Sequence, residues 1–161
     1  MTKYVTDRPE FITGKIAEKE FSKFFENIKN STKDQDINEH WDLEIDIGHK
    51  IKVDVKSLKK ENRYDAFYNE TFHWIEVKNV MGKKGWLYGD ADMFAFELDD
   101  YWVMVEKQPL QDFIANKCKG KKIGTIKNVY DLYRRKDRKD VVVKVKTIDL
   151  MYLNHSIIKK Q

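Results

Sequence analysis

His40-Trp41-Asp42-Leu43-Glu44-Ile45-Asp46-Ile47-Gly48-His49-Lys50-Ile51-Lys52-Val53-Asp54-Val55-Lys56 is the stretch on which the reading of this chain turns. Its polarity alternates with period two: Trp41, Leu43, Ile45 and Ile47 point one way, and Asp42, Glu44 and Asp46 the other. After Gly48 the alternation resumes, with Ile51, Val53 and Val55 set against Lys52, Asp54 and Lys56. This pattern predicts a β-hairpin with strands at about 40–47 and 50–57. Period-two geometry places Asp54 and Lys56 on one face, about 7 Å apart along the strand. Pairing across the turn brings Asp42 towards both. Two carboxylates and an ammonium converging in this way suit a hard divalent cation and a positioned water, the requirements of phosphodiester hydrolysis.

Outward from the hairpin, elements of both kinds are expected. Upstream, Pro9 suits a first helical turn, and Ala17, Phe21, Phe24 and Ile28 follow at helical spacing. A helix over about 9–29 is the expectation, ending in the polar run Asn30-Ser31-Thr32-Lys33-Asp34. Downstream, Lys59 to Asn69 reads as a charged loop, and Phe72 to Val80 as a third strand. Further strands are expected at 92–97 and 101–106, then a short helix opened by Pro109 that carries Leu110, Phe113 and Ile114. Val141-Val142-Val143-Lys144-Val145 is again β-like. No repeat or linker divides the chain. The expected fold class is α/β (α+β), a mixed sheet flanked by helices in a single domain over 1–161.

Composition agrees with that class. Of 161 residues, 41% are hydrophobic and 13% aromatic, enough for one core, and two prolines argue against a disordered chain. No apolar run approaches membrane-spanning length and Met1 to Asp7 does not read as a secretion signal, so no membrane partner is expected. The lone Cys118 excludes an intrachain disulfide and a thiolate zinc cluster, and a cytoplasmic setting follows. Charge is uneven. Residues 117–146 hold twelve Lys/Arg against three Asp, whereas the rest of the chain holds 19 against 24 Asp/Glu. A basic C-terminal third beside an acidic body suits a protein that grips a polyanion while coordinating a cation.

Asp42 and the Asp54-Val55-Lys56 tripeptide, in this order and on successive strands, resemble the core signature of the PD-(D/E)XK nuclease superfamily. Gly14-Lys15-Ile16-Ala17-Glu18-Lys19-Glu20-Phe21 resembles the first helix of that fold, which usually supplies an acidic residue. The block from His73 to Val80, with Gly85-Trp86-Leu87-Tyr88-Gly89, is similar to uncharacterised phage-type proteins of this kind. Likeness extends over about residues 10–115, ahead of a basic extension at about 117–161. Trp41 stands where the signature often has Pro. The resemblance implies a restriction-endonuclease-like nuclease that uses Mg2+ or Mn2+ and acts on nucleic acid, DNA foremost, in the host cytoplasm if phage-encoded. It implies Asp42, Asp54 and the main-chain carbonyl of Val55 as ligands, with Lys56 orienting the attacking water. Glu18 and Glu20 lie at opposite edges of the helix stripe, a tie on geometry that the family's placement resolves towards Glu18.

Other features compete or assist. Glu76-Val77-Lys78 is a second acid-x-Lys tripeptide, and a strand at 72–80 paired beside 51–57 would bring Glu76 and Lys78 to the same site. Lys83 and Lys84, in a Gly-rich turn, are candidate phosphate contacts, while Trp86 or Tyr88 could stack on a base or fold into the core. Arg134, Arg135, Lys136, Arg138 and Lys139 form a dense basic run suited to a phosphate clamp. His40, His49, His73 and His155 lack metal-ligand spacing and read as surface or satisfied histidines. Two rivals stay open: a nuclease-like fold that binds nucleic acid without cutting it, and a phage protein-interaction factor. So does a homodimer, which a branched-DNA resolvase would require.

Overall fold

The computed structural model describes residues 10–62 and 64–161, so Pro9 and the start of the expected first helix lie outside the described residues. The chain is a mixed α+β fold. In order, α1 (Glu10–Ser22), β1 (Ile28–Asn30), α2 (Lys33–Asn38), β2 (Leu43–Asp46), β3 (Lys50–Lys56) and β4 (Phe72–Lys78) precede a short 3-10 turn (Trp86–Tyr88). β5 (Met93–Glu97), β6 (Tyr101–Glu106), α3 (Lys107–Lys117), β7 (Leu132–Tyr133), β8 (Val141–Lys146), α4 (Thr147–Leu150) and β9 (His155–Lys159) follow. Among the described residues, no helix is long and apolar enough to cross a membrane.

Two sheets form. The larger has the order β1-β2-β3-β5-β6-β9, and the smaller β4-β8-β7. The predicted hairpin is present: β2 and β3 pair antiparallel, with Leu43 opposite Val53 and Asp46 opposite Lys50. Gly48 closes it at a φ of 98°, a left-handed angle that glycine adopts without the strain a side chain would add. The alternation fails at both ends: Ile47 is 58% exposed because it belongs to the turn, and Trp41, ahead of the strand, is buried in the core opposite that of Leu43 and Ile45.

Each face of the large sheet covers its own core. Val53 and Val55 point to α1, joining Ala17, Phe21, Leu43, Ile45, Ala95 and Trp102. On the opposite face Phe94 and Phe96 pack with Ile75, Val143, Leu110 and Leu150, so β4, β8, α3 and α4 cover that side. Fully burying a side chain of this size contributes about 1.5–3 kcal/mol. The two cores therefore fix β3 between them, both faces buried.

Three expectations change. The first helix stops at Ser22 instead of near 29. Phe24 and Phe25 pack from a turn, and Ile28 starts the edge strand β1 opposite Ile45. The polar run that seemed to end that helix instead starts α2: Thr32 Oγ1 accepts from the Gln35 N–H, and Gln35 Oε1 accepts from the Thr32 N–H, a capping box. Finally, β4 does not pair beside β3. The neighbour of β3 is β5, in parallel, with Asp54 opposite Phe94 and Lys56 opposite Phe96, while β4 pairs with β8 in the second sheet. Pro109 does sit in the first turn of α3, with Leu110 and Ile114 buried.

Candidate functional site

Asp54 lies at the middle of β3, in the interior of the large sheet, and is only 4% exposed. Lys56, two positions on, shares its face, and Lys56 Nζ is 2.6 Å from Asp54 Oδ1. Oδ2 of the same carboxyl is buried with no donor on it among the described residues, and the Asp42 carboxyl is its hydrogen-bonding neighbour once one of the two is protonated. Burial pushes the Asp54 carboxyl well above the usual carboxylate range. The Lys56 ammonium opposes the rise, and the charge of Asp42 adds to it.

Asp42 stands just before β2. Just after His40, whose backbone is left-handed at φ 57°, Trp41 is buried in one core while Leu43 enters the other. The Asp42 N–H still donates to Val53 O at 2.9 Å, so the backbone continues the hairpin ladder. Its side chain bends in instead of pointing out: Oδ2 accepts from the Val55 N–H at 2.7 Å. The hairpin thus brings Asp42, Asp54 and Lys56 together, Asp54 and Lys56 through their shared face of β3 and Asp42 through its bond to Val55.

Of the two helix acids, Glu18 approaches this group. It is half-buried on α1, and burial, then the charge of Asp42, raises its carboxyl. The Lys15 ammonium, 2.8 Å from Glu18 Oε2, opposes that rise.

Glu76 arrives by a route the sequence does not suggest. Although β4 belongs to the other sheet, that sheet lies over the Asp54 face, and the Glu76 carboxyl feels the Lys56 charge. Burial nonetheless raises it, the main-chain N–H of Trp86 donating to Oε1 at 3.3 Å in opposition. Lys78, at the end of β4, is exposed and bridges Lys84 through the main chain.

The basic residues separate into two groups. Lys83 and Lys84 are exposed in the turn after β4. A Cβ on Gly82 would lie 3.5 Å from Lys139 Cβ, so the Arg134–Lys139 turn packs beside it. Lys136, Arg138 and Lys139 are exposed there. Arg135, by contrast, is committed to buried Asp140, Nη2 to Oδ2 at 2.6 Å, and Arg134 is half-buried, its Nε unpartnered among the described residues. They are structural as much as free cations.

Trp86 folds into the core against Phe94, one of the two readings of the sequence; what sequence reasoning missed is that it also lies over Lys56, its ring centroid 4.2 Å from Nζ. His73 is a correction: it is 2% exposed, packs on Phe96 at 4.9 Å, and its Nε2 has no partner among the described residues, so it is neither a surface nor a satisfied histidine. The apolar residues around it, Phe72, Trp74 and Ile75, were the available sign that this part of β4 is buried.

A divalent ion can be tested against this donor set. Among the described residues, no group of three or more His, Cys, Asp or Glu side chains is arranged to hold one. Mg2+, however, commonly takes one or two carboxylates and completes its shell with water and substrate phosphate. Asp54 Oδ2, buried and unpartnered beside Asp42, fits that mode. Comparison of the chain with protein-family models, with curated proteins and with solved structures gave no match.

Proposed function

We propose that this protein is a divalent-metal-dependent nuclease, acting on DNA, with a site of the PD-(D/E)XK kind. The observation that carries the reading is the buried Asp54 carboxyl, with one oxygen on Lys56 and the other unpartnered beside Asp42. Lys56 offsets only part of the cost of burying this carboxyl, and such perturbed groups cluster at functional sites. Asp42 and Asp54, with the main-chain carbonyl of Val55, would hold Mg2+ or Mn2+, and Glu18 would approach through water. The bound ion would supply Lewis-acid polarisation of a phosphodiester oxygen. Lys56 donates to the incoming water or to the developing phosphorane-like charge, in a setting where fixed charges act strongly. Lys83, Lys84, Lys136, Arg138 and Lys139 would hold backbone phosphates from exposed turns.

The test is to incubate the protein with supercoiled, linear and branched DNA, in Mg2+ or in chelator. Cleavage of at least one form in Mg2+, abolished by chelator and by Lys56→Ala, is the expected result. No cleavage of DNA or RNA by folded protein in either ion would reject the reading. The absence of a three-acid ligand group among the described residues favours one alternative, a nucleic-acid-binding module that does not cut. Salt-sensitive DNA binding without calorimetric Mg2+ or Mn2+ binding would select it.

A further inference from the structure

Lys56 is gripped from two sides. Its ammonium meets Asp54 Oδ1 at 2.6 Å and lies 4.2 Å from the centroid of the Trp86 ring. A cation over an indole face is attracted by the ring quadrupole, most strongly where water is reduced, and Lys56 has a side chain only 22% exposed. The indole is itself immobilised. Its ring centroid lies 5.0 Å from that of Phe94, next to Asp54 in the sheet, and its main-chain N–H donates to Glu76 Oε1.

The segment carrying Trp86 is fastened to β4 by a local irregularity. The β4–β8 register shifts between Glu76 and Lys78, a bulge that leaves Val77 outside the ladder. The Val77 carbonyl accepts from the Gly85 N–H at 2.9 Å instead. Gly85 lies so close that a Cβ there would stand 2.4 Å from Glu76 O, a backbone atom that cannot move aside cheaply. Only glycine permits this approach. The bulge and the glycine together set the indole over Lys56.

We propose that Trp86 is a positioning residue that holds the Lys56 ammonium against Asp54, so that the second sheet orients a group belonging to the first. The proposal rests on reading Lys56 as the ammonium of the cleavage site. Without the ring face, Lys56 gains rotamer freedom and spends less time on Asp54. Chemistry then slows while DNA affinity is kept, because the indole is packed against Phe94 and does not offer its face to a base.

The experiment compares wild type with Trp86→Phe, which keeps a ring face, and Trp86→Met, which fills the space without one. In protein with 13C-labelled lysine, ring current should move the Lys56 side-chain methylene signals upfield of the other lysines, the assignment coming from their loss in Lys56→Met. The shift should persist in part in Trp86→Phe and vanish in Trp86→Met. For cleavage in Mg2+, Trp86→Met should lower kcat by about tenfold with KM unchanged, and Trp86→Phe should restore most of it. Lys56 signals at ordinary positions in the wild type would overturn the proposal, whether or not Trp86→Met folds. So would a loss confined to KM, which would make Trp86 a DNA contact. Wild-type protein that cleaves nothing would defeat the nuclease reading by itself, and the upfield signals would still establish the Trp86–Lys56 grip.

Discussion

Oδ2 of Asp42 accepts a hydrogen bond from the main-chain N–H of Val55 at 2.7 Å, so one side chain both completes the hairpin and brings its carboxyl to Asp54. The two roles separate by substitution. Asp42→Ala leaves a buried N–H without a partner, which costs about 1–3 kcal/mol. Asp42→Asn keeps an accepting oxygen while removing the charge. Urea denaturation in chelator should therefore show Asp42→Ala clearly less stable than Asp42→Asn, with both inactive in Mg2+. Equal stability of the two variants would show that the bond to Val55 contributes nothing.

Asp54 should be a liability to the metal-free fold. Its folded pKa is raised above the ordinary value of 3.8, burial being the main cause. Its contribution is therefore fully present below the unfolded value and is lost as pH rises through the folded one. At neutral pH in chelator, Asp54→Asn should melt at the same temperature as wild type or higher. The difference should shrink towards pH 4. A marked drop in melting temperature for Asp54→Asn at pH 7.5 would mean that the Lys56 ion pair outweighs the cost of burial.

His73 gives a separate pH dependence. Burial holds its imidazole down at about 4, against an ordinary value of 6.5, the Glu70 charge opposing. A depressed histidine stabilises the fold above the unfolded pKa, and that stability is lost as pH falls from 6.5 towards 4. For a shift of this size the loss is roughly 3 kcal/mol. Chemical denaturation across that window should show a slope in wild type that His73→Leu flattens. Identical slopes would mean that the buried Nε2 finds a partner when protonated.

How much of this was legible beforehand depends on range. The hairpin and the shared face of Asp54 and Lys56 follow from period-two alternation and a glycine turn, which are local signals, and α3 follows from Pro109 and its apolar spacing. The partner of β3 did not follow. Phe72 to Lys78 and Met93 to Glu97 are equally strand-like, and choosing β5 over β4 depends on which faces the two cores cover. The overextended first helix had a different cause. Phe24 and Ile28 continue a helical spacing, but Ile28 is taken by pairing with Ile45. Glu76 reaches Lys56 from another sheet, a nearness that sequence separation conceals. Trp86 over Lys56 depends on a bulge and a close glycine approach that have no pattern of their own.

The basic residues should divide by role. Lys83→Ala and Lys84→Ala should weaken DNA binding and reduce its dependence on salt by about one unit of slope for each phosphate no longer neutralised. Their stability should change by less than about 0.5 kcal/mol, since both side chains are exposed. Arg135→Ala strands the buried Asp140 carboxyl, whose Oδ1 already lacks a partner among the described residues, and should cost about 1–3 kcal/mol of folding stability. Filter-binding titrations over a salt series, with thermal melts in parallel, check both halves. Destabilisation by the lysine variants would place those side chains in the fold instead of on DNA.

The central claim is that Asp54 and Lys56 drive a metal-dependent cleavage. Single-turnover cleavage of whichever DNA the wild type cuts, with Asp54→Asn protein that remains folded and DNA-bound, tests it most directly. The account predicts that Asp54→Asn leaves the DNA intact in saturating Mg2+ while wild type cuts it to completion. Cleavage by Asp54→Asn at the wild-type rate would contradict it.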